Sequence, residues 1–220
     1  MLANLLHSNG YVEIAETDPD VSTLELARKL SDAIGAVVWE SVENLVASPA
    51  GLKPSNTYGG NYGYGQLPLH TDLAHWYRPP RYVLLRCISG SQSVATHLLN
   101  RRQLERWIPT SLMQRALFSP RRRLDGEVFL LRMLNDELLR WDQLFLKPQN
   151  TAAHAAAARM QEIAPELPLT KVVLSGTGRT LLIDNWNVLH GRSAVPTTAS
   201  HRKLDRIYLE TSSHGNKDPT

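Results

Sequence analysis

His70 and Asp72 stand two residues apart in the stretch Gln-Leu-Pro-Leu-His-Thr-Asp-Leu-Ala-His-Trp, residues 66–76. In extended backbone, side chains at i and i+2 leave the same face of the sheet, so this imidazole and carboxylate are expected to point together with room for an ion between them. One nitrogen and one oxygen do not complete a metal site. The second imidazole is expected from His190, in Asp-Asn-Trp-Asn-Val-Leu-His-Gly-Arg, residues 184–192. Two histidines and one carboxylate on one side of an ion, with the remaining positions open, is the arrangement that suits non-haem Fe(II).

These residues need rigid elements to bring them together, and the chain reads as many short strands with a few helices. A strand is expected in Gly-Tyr-Val-Glu-Ile-Ala. Ser22, three residues before Glu25, then resembles a capping box, and apolar residues at helical spacing predict an amphipathic helix over 22–35, stopped by Gly35. A strand over 36–40 follows. Residues 57–65, Thr-Tyr-Gly-Gly-Asn-Tyr-Gly-Tyr-Gly, are too rich in glycine for a regular element and predict a loop leading into the metal stretch, placed to carry substrate contacts.

Further strands are expected at 81–89, after Pro79-Pro80, at 94–98, and in the apolar pieces 129–131 and 144–146. Residues 100–117 read as mostly helical and broken at Pro109, and the alanine-rich 151–163 as a helix packed on a sheet. Strands at 172–174, 180–183 and 206–210 complete the reading, and the C-terminal residues after 210 show no periodicity. The expected fold class is mainly β with flanking helices around a double-stranded β-helix, a jelly-roll or cupin-like core, in a single domain over 1–220.

Composition narrows the function classes. Hydrophobic residues make up 42% and charged residues 20%, as in an ordinary globular chain that buries a substantial core. The net charge of +3, from 24 basic and 21 acidic residues, is too small to imply nucleic acid, and no nucleic-acid motif is present. Arg101-Arg102 and Arg121-Arg122-Arg123 read as solvated charge. Cys87 is the single cysteine and sits in an apolar run, which fits a buried thiol in a reducing compartment. The start has no signal-peptide pattern and no run approaches a membrane span, so a cytoplasmic location is expected. His7, His75, His97, His154, His201 and His214 read as structural or solvent-exposed.

Several motifs together, Leu-His-Thr-Asp-Leu, Pro-Pro-Arg-Tyr-Val-Leu-Leu, Leu-Arg-Trp-Asp at 139–142 and Leu-Leu-Ile-Asp-Asn-Trp-Asn-Val-Leu-His-Gly-Arg, resemble the taurine dioxygenase-like, clavaminate synthase-like family of Fe(II)/2-oxoglutarate-dependent oxygenases. The resemblance covers residues 58–210. It implies that His70, Asp72 and His190 ligate iron, that Thr96 and Arg202 hold the remote carboxylate of 2-oxoglutarate, and that Arg206 meets the near end of the cosubstrate or an acidic group of the substrate. It places Asn61 and Gln66 where relatives keep amides near the substrate. It implies Fe(II) as cofactor, 2-oxoglutarate and O2 as cosubstrates, and hydroxylation of a C–H bond. Halogenating relatives lack the carboxylate that Asp72 supplies.

The guanidinium is suited to this work because its planar fork matches a carboxylate, which a lysine cannot reproduce. Asn61, Gln66 and Arg206 together suit an amino acid or small zwitterion. The short interval between the two ligand histidines leaves open a free small molecule, a peptide, or a carrier-bound residue of a natural-product precursor. The alternative from another class is a non-catalytic cupin-like protein that binds a small ligand without turnover.

Overall fold

Short apolar runs closed by glycine and proline turns make strands too short to stand alone, so they must pair into sheets and bury a common face. The computed structural model of the chain, which describes residues 2–15, 17–122 and 129–211, shows how they do so. In order, the chain forms α1 (Leu2–Asn9), β1 (Tyr11–Ile14), α2 (Thr23–Ile34), β2 (Ala36–Val38), β3 (Glu43–Val46), α3 (Tyr58–Tyr62) and β4 (Leu67–His70). There follow β5 (Tyr82–Ser89), β6 (Thr96–Asn100), α4 (Arg101–Leu104), α5 (Thr110–Arg115), β7 (Leu117–Pro120), β8 (Leu131–Arg132) and β9 (Leu146–Pro148). The last part holds α6 (Thr151–Ile163), β10 (Thr170–Val172), β11 (Thr180–Asp184), β12 (Val188–Arg192) and β13 (Lys203–Thr211). Arg123, His214 and the chain after 211 lie outside the described residues.

One antiparallel sheet runs β1-β11-β5-β13-β2, with β3 also paired to β13; a second runs β10-β6-β12-β4. Period-2 alternation shows how they meet. From β5, Val83, Leu85 and Cys87 point inward and pack with Leu181 and Ile183 of β11, Leu204 of β13, and Leu98, Val172 and Val188 of the second sheet. The alternate residues Tyr82 and Leu84 point outward and pack with Leu6 of α1 and Ala27 of α2. The second sheet turns Leu99 and Leu189 outward into the largest cluster, shared with Leu104, Met113, Phe118, Trp141 and the α6 face of Ala153, Ala156, Met160 and Ile163. Two facing antiparallel sheets with helices outside are the jelly-roll core expected from the sequence. Each fully buried large apolar side chain here stabilises it by about 1.5–3 kcal/mol.

Helix α2 forms as its caps require: the Ser22 side chain accepts from the Glu25 N–H, and Gly35 closes the helix at φ 64, where a Cβ is disfavoured. Helix α6 has the expected bounds and is capped by Asn150. Pro109 separates α4 from α5.

The departures have local causes. Residues 57–65 are not all loop, because the Thr57 side chain accepts from the Gly60 N–H and caps the one-turn helix α3. The run at 144–146 starts its strand late, since the Asp142 carboxylate holds the Leu144 and Phe145 N–H groups in a turn. The piece at 129–131 pairs only from Leu131. Helix α1 and strands β3, β7 and β12 go beyond the sequence reading. Among the described residues no helix is long and apolar enough to cross a membrane.

Candidate metal centre and its cavity

Strand β4 ends at His70, and His190 in β12 is its direct antiparallel partner, so the two imidazoles are a cross-strand pair with ring centroids 4.6 Å apart. Strand pairing thus joins residues far apart in sequence. The close approach needs Gly191: a Cβ there would lie 2.6 Å from the Leu67 carbonyl oxygen.

Asp72 lies beyond the end of β4, so it reaches the site through a turn and not through the strand alternation expected. That turn is built by side chains. Asn185, fully buried, accepts from the Asp72 N–H (2.8 Å) and donates to the Asp72 (3.1 Å) and Pro80 (2.8 Å) carbonyls. The Thr71 hydroxyl donates to the Leu139 carbonyl and accepts from the Trp141 N–H. The buried Arg140 guanidinium donates to the carbonyls of Ala74, Trp76 and Tyr77. Burial lowers the Arg140 pKa to about 10, so it stays a cation at neutral pH. Between these clamps Leu73 sits at φ 54, a left-handed conformation uncommon for a side chain with a Cβ.

The three side chains converge. His70 Nε2 lies 3.2 Å from Asp72 Oδ1, and His190 Nε2 lies 3.6 Å from Asp72 Oδ2. One ligand atom from each falls within 4.8 Å of the others, and all three residues are buried.

The donor set fits a cation. His70 Nδ1 is 2.9 Å from the Pro68 carbonyl, which can only accept, so Nδ1 carries the proton and Nε2 turns its lone pair toward Asp72. Two facing acceptors repel unless a proton or a metal ion lies between them.

Charge around Asp72 is strongly organised. Burial alone would raise its pKa, but Arg206 and the two imidazoles hold the carboxyl well below the usual range. Arg206 Nη1 donates to Oδ2 at 2.9 Å, and the Tyr208 hydroxyl donates to the same oxygen at 3.2 Å. His70 and His190 differ: burial opposes the charged form of both, yet hydrogen bonding and charge from Asp72 raise the His70 pKa, while burial wins at His190 and lowers it. His190 Nδ1 has no hydrogen-bond partner among the described residues.

A cavity of about 440 Å³ opens beside the triad and is lined by Thr96, Arg202 and Arg206 as well as by the three candidate ligands. Thr96, on β6, is buried and paired in register with Arg192 of β12. Arg202 is 7% exposed and makes no side-chain hydrogen bond or ion pair among the described residues, so a cation faces the cavity without an anion. Burial lowers its pKa.

Arg206 differs from expectation. It lines the cavity, but Nη1 is engaged by Asp72 and Nη2 by Glu43 at 2.5 Å, so it supports the candidate carboxylate ligand and is not a free anion receiver. Arg192 donates to the Gly63 and Gly65 carbonyls and ties the α3 segment to β12.

Asn61 and Gln66 lie outside this set. Both are exposed and neither lines the cavity; the Asn61 amide is spent on the Ser55 and Thr57 carbonyls, a local use of asparagine that sequence reading does not separate from ligand binding. In their place the cavity wall includes Tyr58, His75 and Phe145. His75, read from sequence as structural, has a buried Nδ1 with no hydrogen-bond partner among the described residues. The Tyr58 ring packs 4.2 Å from His70, centroid to centroid, and its hydroxyl donates to Asp142.

The chain is thus a jelly roll with two histidines and a carboxylate converging at one end of its second sheet, a donor set able to hold a metal ion, beside a cavity with an arginine unpaired among the described residues. No family model matches the chain, and no curated protein matches it in sequence. Solved structures do match. An asparagine oxygenase in complex with Fe(II), 2S,3S-3-hydroxyasparagine and succinate superposes with a TM-score of 0.73 at 15% identity, over 96% of this chain and 78% of that one. The non-haem iron oxygenase OrfP, in complex with Fe and alpha-ketoglutaric acid, gives 0.69 at 20% identity over 96% and 79%. PvcB from Pseudomonas aeruginosa gives 0.67 at 15% identity over 94% and 77%. At this distance the likeness establishes the shared fold.

Proposed function

We propose that this chain is an Fe(II)- and 2-oxoglutarate-dependent dioxygenase, acting as one domain, that hydroxylates an unactivated C–H bond of an amino acid, free or within a peptide or carrier-bound natural-product precursor. The observation that carries the reading is the convergence of His70, Asp72 and His190 beside the unpaired Arg202 guanidinium in one cavity. The similar folds support it: one holds Fe with alpha-ketoglutaric acid, another a hydroxylated amino acid with succinate, and PvcB is described as an Fe, alpha-ketoglutarate dependent oxygenase from an isonitrile synthetic pathway.

His70 Nε2, one Asp72 oxygen and His190 Nε2 would hold the iron, which when bound with 2-oxoglutarate supplies the activation of O2 for C–H oxidation. The chain's own residues do the rest. Arg202 receives the remote carboxylate of 2-oxoglutarate in a charge-assisted pair, with the Thr96 hydroxyl as second donor. Arg206 and Tyr208 grip Asp72 Oδ2, which fixes the rotation of the carboxylate. Leu67, Leu73, Leu85 and Leu204 in the cavity wall limit water around the reacting groups. The buried free thiol of Cys87 suits a reducing, cytoplasmic setting.

Anaerobic addition of Fe(II) and then 2-oxoglutarate is expected to produce a weak visible charge-transfer band. Asp72→Ala is expected to remove the band and succinate release. Arg202→Leu is expected to weaken 2-oxoglutarate binding by about 100-fold, as for loss of a buried charge pair. A folded wild-type protein without the band would leave only the non-catalytic ligand-binding reading.

A further inference from the structure

Strand β13 is paired with β5 on one side and with β2 and β3 on the other, so β2 and β3 form an edge of the first sheet among the described residues. The Trp39 N–H bonds to the Tyr208 carbonyl, which sets the direction of the ladder: Tyr208, Arg206 and Leu204 turn their main-chain groups toward β2 and β3. The Cys87 N–H agrees. It bonds toward β11, to the Arg179 carbonyl, so β5 meets β13 through Arg86 and Leu84, opposite Asp205 and Ile207. Glu43 and Leu45, the partners of Arg206 and Leu204, therefore carry the β3 ladder, and Asn44 and Val46 turn their N–H and C=O groups to the free edge. There the Lys53 ammonium donates to the Val46 carbonyl at 3.2 Å, and the other three groups have no partner among the described residues. Val42 and Val46 also leave apolar side chains exposed. An open edge of this kind is a template for another strand.

The same edge is a wall of the cavity. Residues 43–47 all line it, whereas a strand that met it with one face alone would contribute only alternate residues. The triad is close by: Glu43 pairs with Arg206 at 2.5 Å, and Arg206 pairs with Asp72 at 2.9 Å. One guanidinium thus spans the interval from the edge strand to the candidate carboxylate ligand. Main-chain donors and acceptors repeated every second residue are matched by one class of molecule, an extended peptide. A free amino acid has too little backbone to meet both Asn44 and Val46.

We propose that the substrate is a residue within an extended peptide, which adds as a strand to the free edge of β3 and sends the side chain to be oxidised toward the triad. The inference rests on the oxygenase reading for its chemistry, and it narrows the substrate from free, peptide or carrier-bound to peptide. The incoming strand bonds to the Asn44 N–H and C=O and to the Val46 N–H, and one of its own N–H groups takes the Val46 carbonyl from Lys53. Main-chain bonds supply the affinity, and the cavity selects the side chain. Arg202 keeps its separate task of holding the cosubstrate.

The probes are the pentapeptides acetyl-Ala-Ala-X-Ala-Ala-amide, one for each proteinogenic X, and the matching free amino acids. Titration calorimetry of each is carried out into the protein loaded anaerobically with Fe(II) and 2-oxoglutarate, and into the metal-free protein. For the best X, the peptide is expected to bind about tenfold more tightly than the free amino acid. Methylating the backbone nitrogens of that peptide one at a time is expected to weaken binding by about tenfold at alternate positions and by less than about twofold between them, since only every second N–H faces β3. Val46→Pro removes one edge donor at a place where an edge strand tolerates proline, and is expected to cut the peptide's advantage by about threefold or more. Thermal melts show whether that variant is folded, and the methylation series on the wild-type protein decides alone if it is not. Absence of peptide binding, a free amino acid bound as tightly as its peptide, a methylation series without the two-residue period, or a folded Val46→Pro protein that keeps the full advantage overturns the proposal. Failure of the iron reading is seen separately, as a missing charge-transfer band before any probe is added, and the methylation series in the metal-free protein then decides the edge by itself.

Discussion

The two arms of the candidate metal centre are held by different physics. The imidazoles belong to paired strands: His70 closes β4, His190 lies opposite it in β12, and β6 flanks β12 on its other side. Their separation follows from backbone ladder geometry. The carboxylate belongs to a turn with no ladder, and Asn185, Thr71 and Arg140 hold it through side-chain bonds to backbone. A ladder spreads a perturbation over many weak bonds. A clamp concentrates it in a few side chains, so the carboxylate arm is the more easily broken by single substitutions.

The largest effect is therefore expected at the clamp. Asn185→Asp keeps the acceptor for the Asp72 N–H and the side-chain volume but loses both donated bonds, to Asp72 and Pro80, and sets an acceptor against those carbonyls. Fe(II) affinity, read by anaerobic titration, is expected to fall by about 10–100-fold, as for the loss of a partner that orients a metal ligand. Affinity within twofold of wild type in a folded variant would show that the ladder alone positions the site.

A smaller effect is expected at the ladder. Gly191→Ala places a methyl against the Leu67 carbonyl and must push β12 from β4, with an expected stability loss of about 1–3 kcal/mol by denaturant titration. Iron affinity is expected to fall less than in the clamp variant. The reverse order would overturn the comparison.

The smallest effect is a pH dependence of the metal-free protein. The folded pKa of Asp72 is lowered, so its contribution is fully present above the ordinary carboxylate value and is lost as pH falls through the lowered one. His70, raised, contributes below the ordinary histidine value and loses that contribution as pH rises through its folded pKa; His190, lowered, runs the other way. The imidazole contributions thus oppose each other near neutrality. The difference between wild type and Asp72→Asn is expected to shrink as pH is taken below about 4 and to be flat just above it. Thermal melts across that range measure it, and a difference that grows in acid would reverse the sign.

Much of the scaffold was legible because its signals are local. The Ser22 cap and Gly35 stop bound α2, Asn150 and a run of alanines define α6, and the continuous apolar run of β5 marks a strand buried on both faces. The candidate ligands were legible because His70 and Asp72 stand two apart and because His190 sits in a motif that carries the family resemblance. The supporting cast was not. Alternation expected Asp72 beside His70 for a reason that fails where β4 stops, and His75 read as structural or solvent-exposed, although the turn at Leu73 redirects the chain and brings it to the cavity. Asn61 has the right chemistry, but nearby carbonyls capture it.

By itself the sequence determined which side chains carry the chemistry proposed to bind a ferrous ion and a dicarboxylate, and that short strands around an apolar interior must carry them, since residue type and periodicity are written locally. Tertiary structure alone decided that Arg206 serves Asp72 while Arg202 stays unpaired among the described residues, and that a buried carboxylate at 142 accepts from the Tyr58 hydroxyl. Partnership between charges depends on distances across the sheets and turns, and no spacing along the chain encodes those distances.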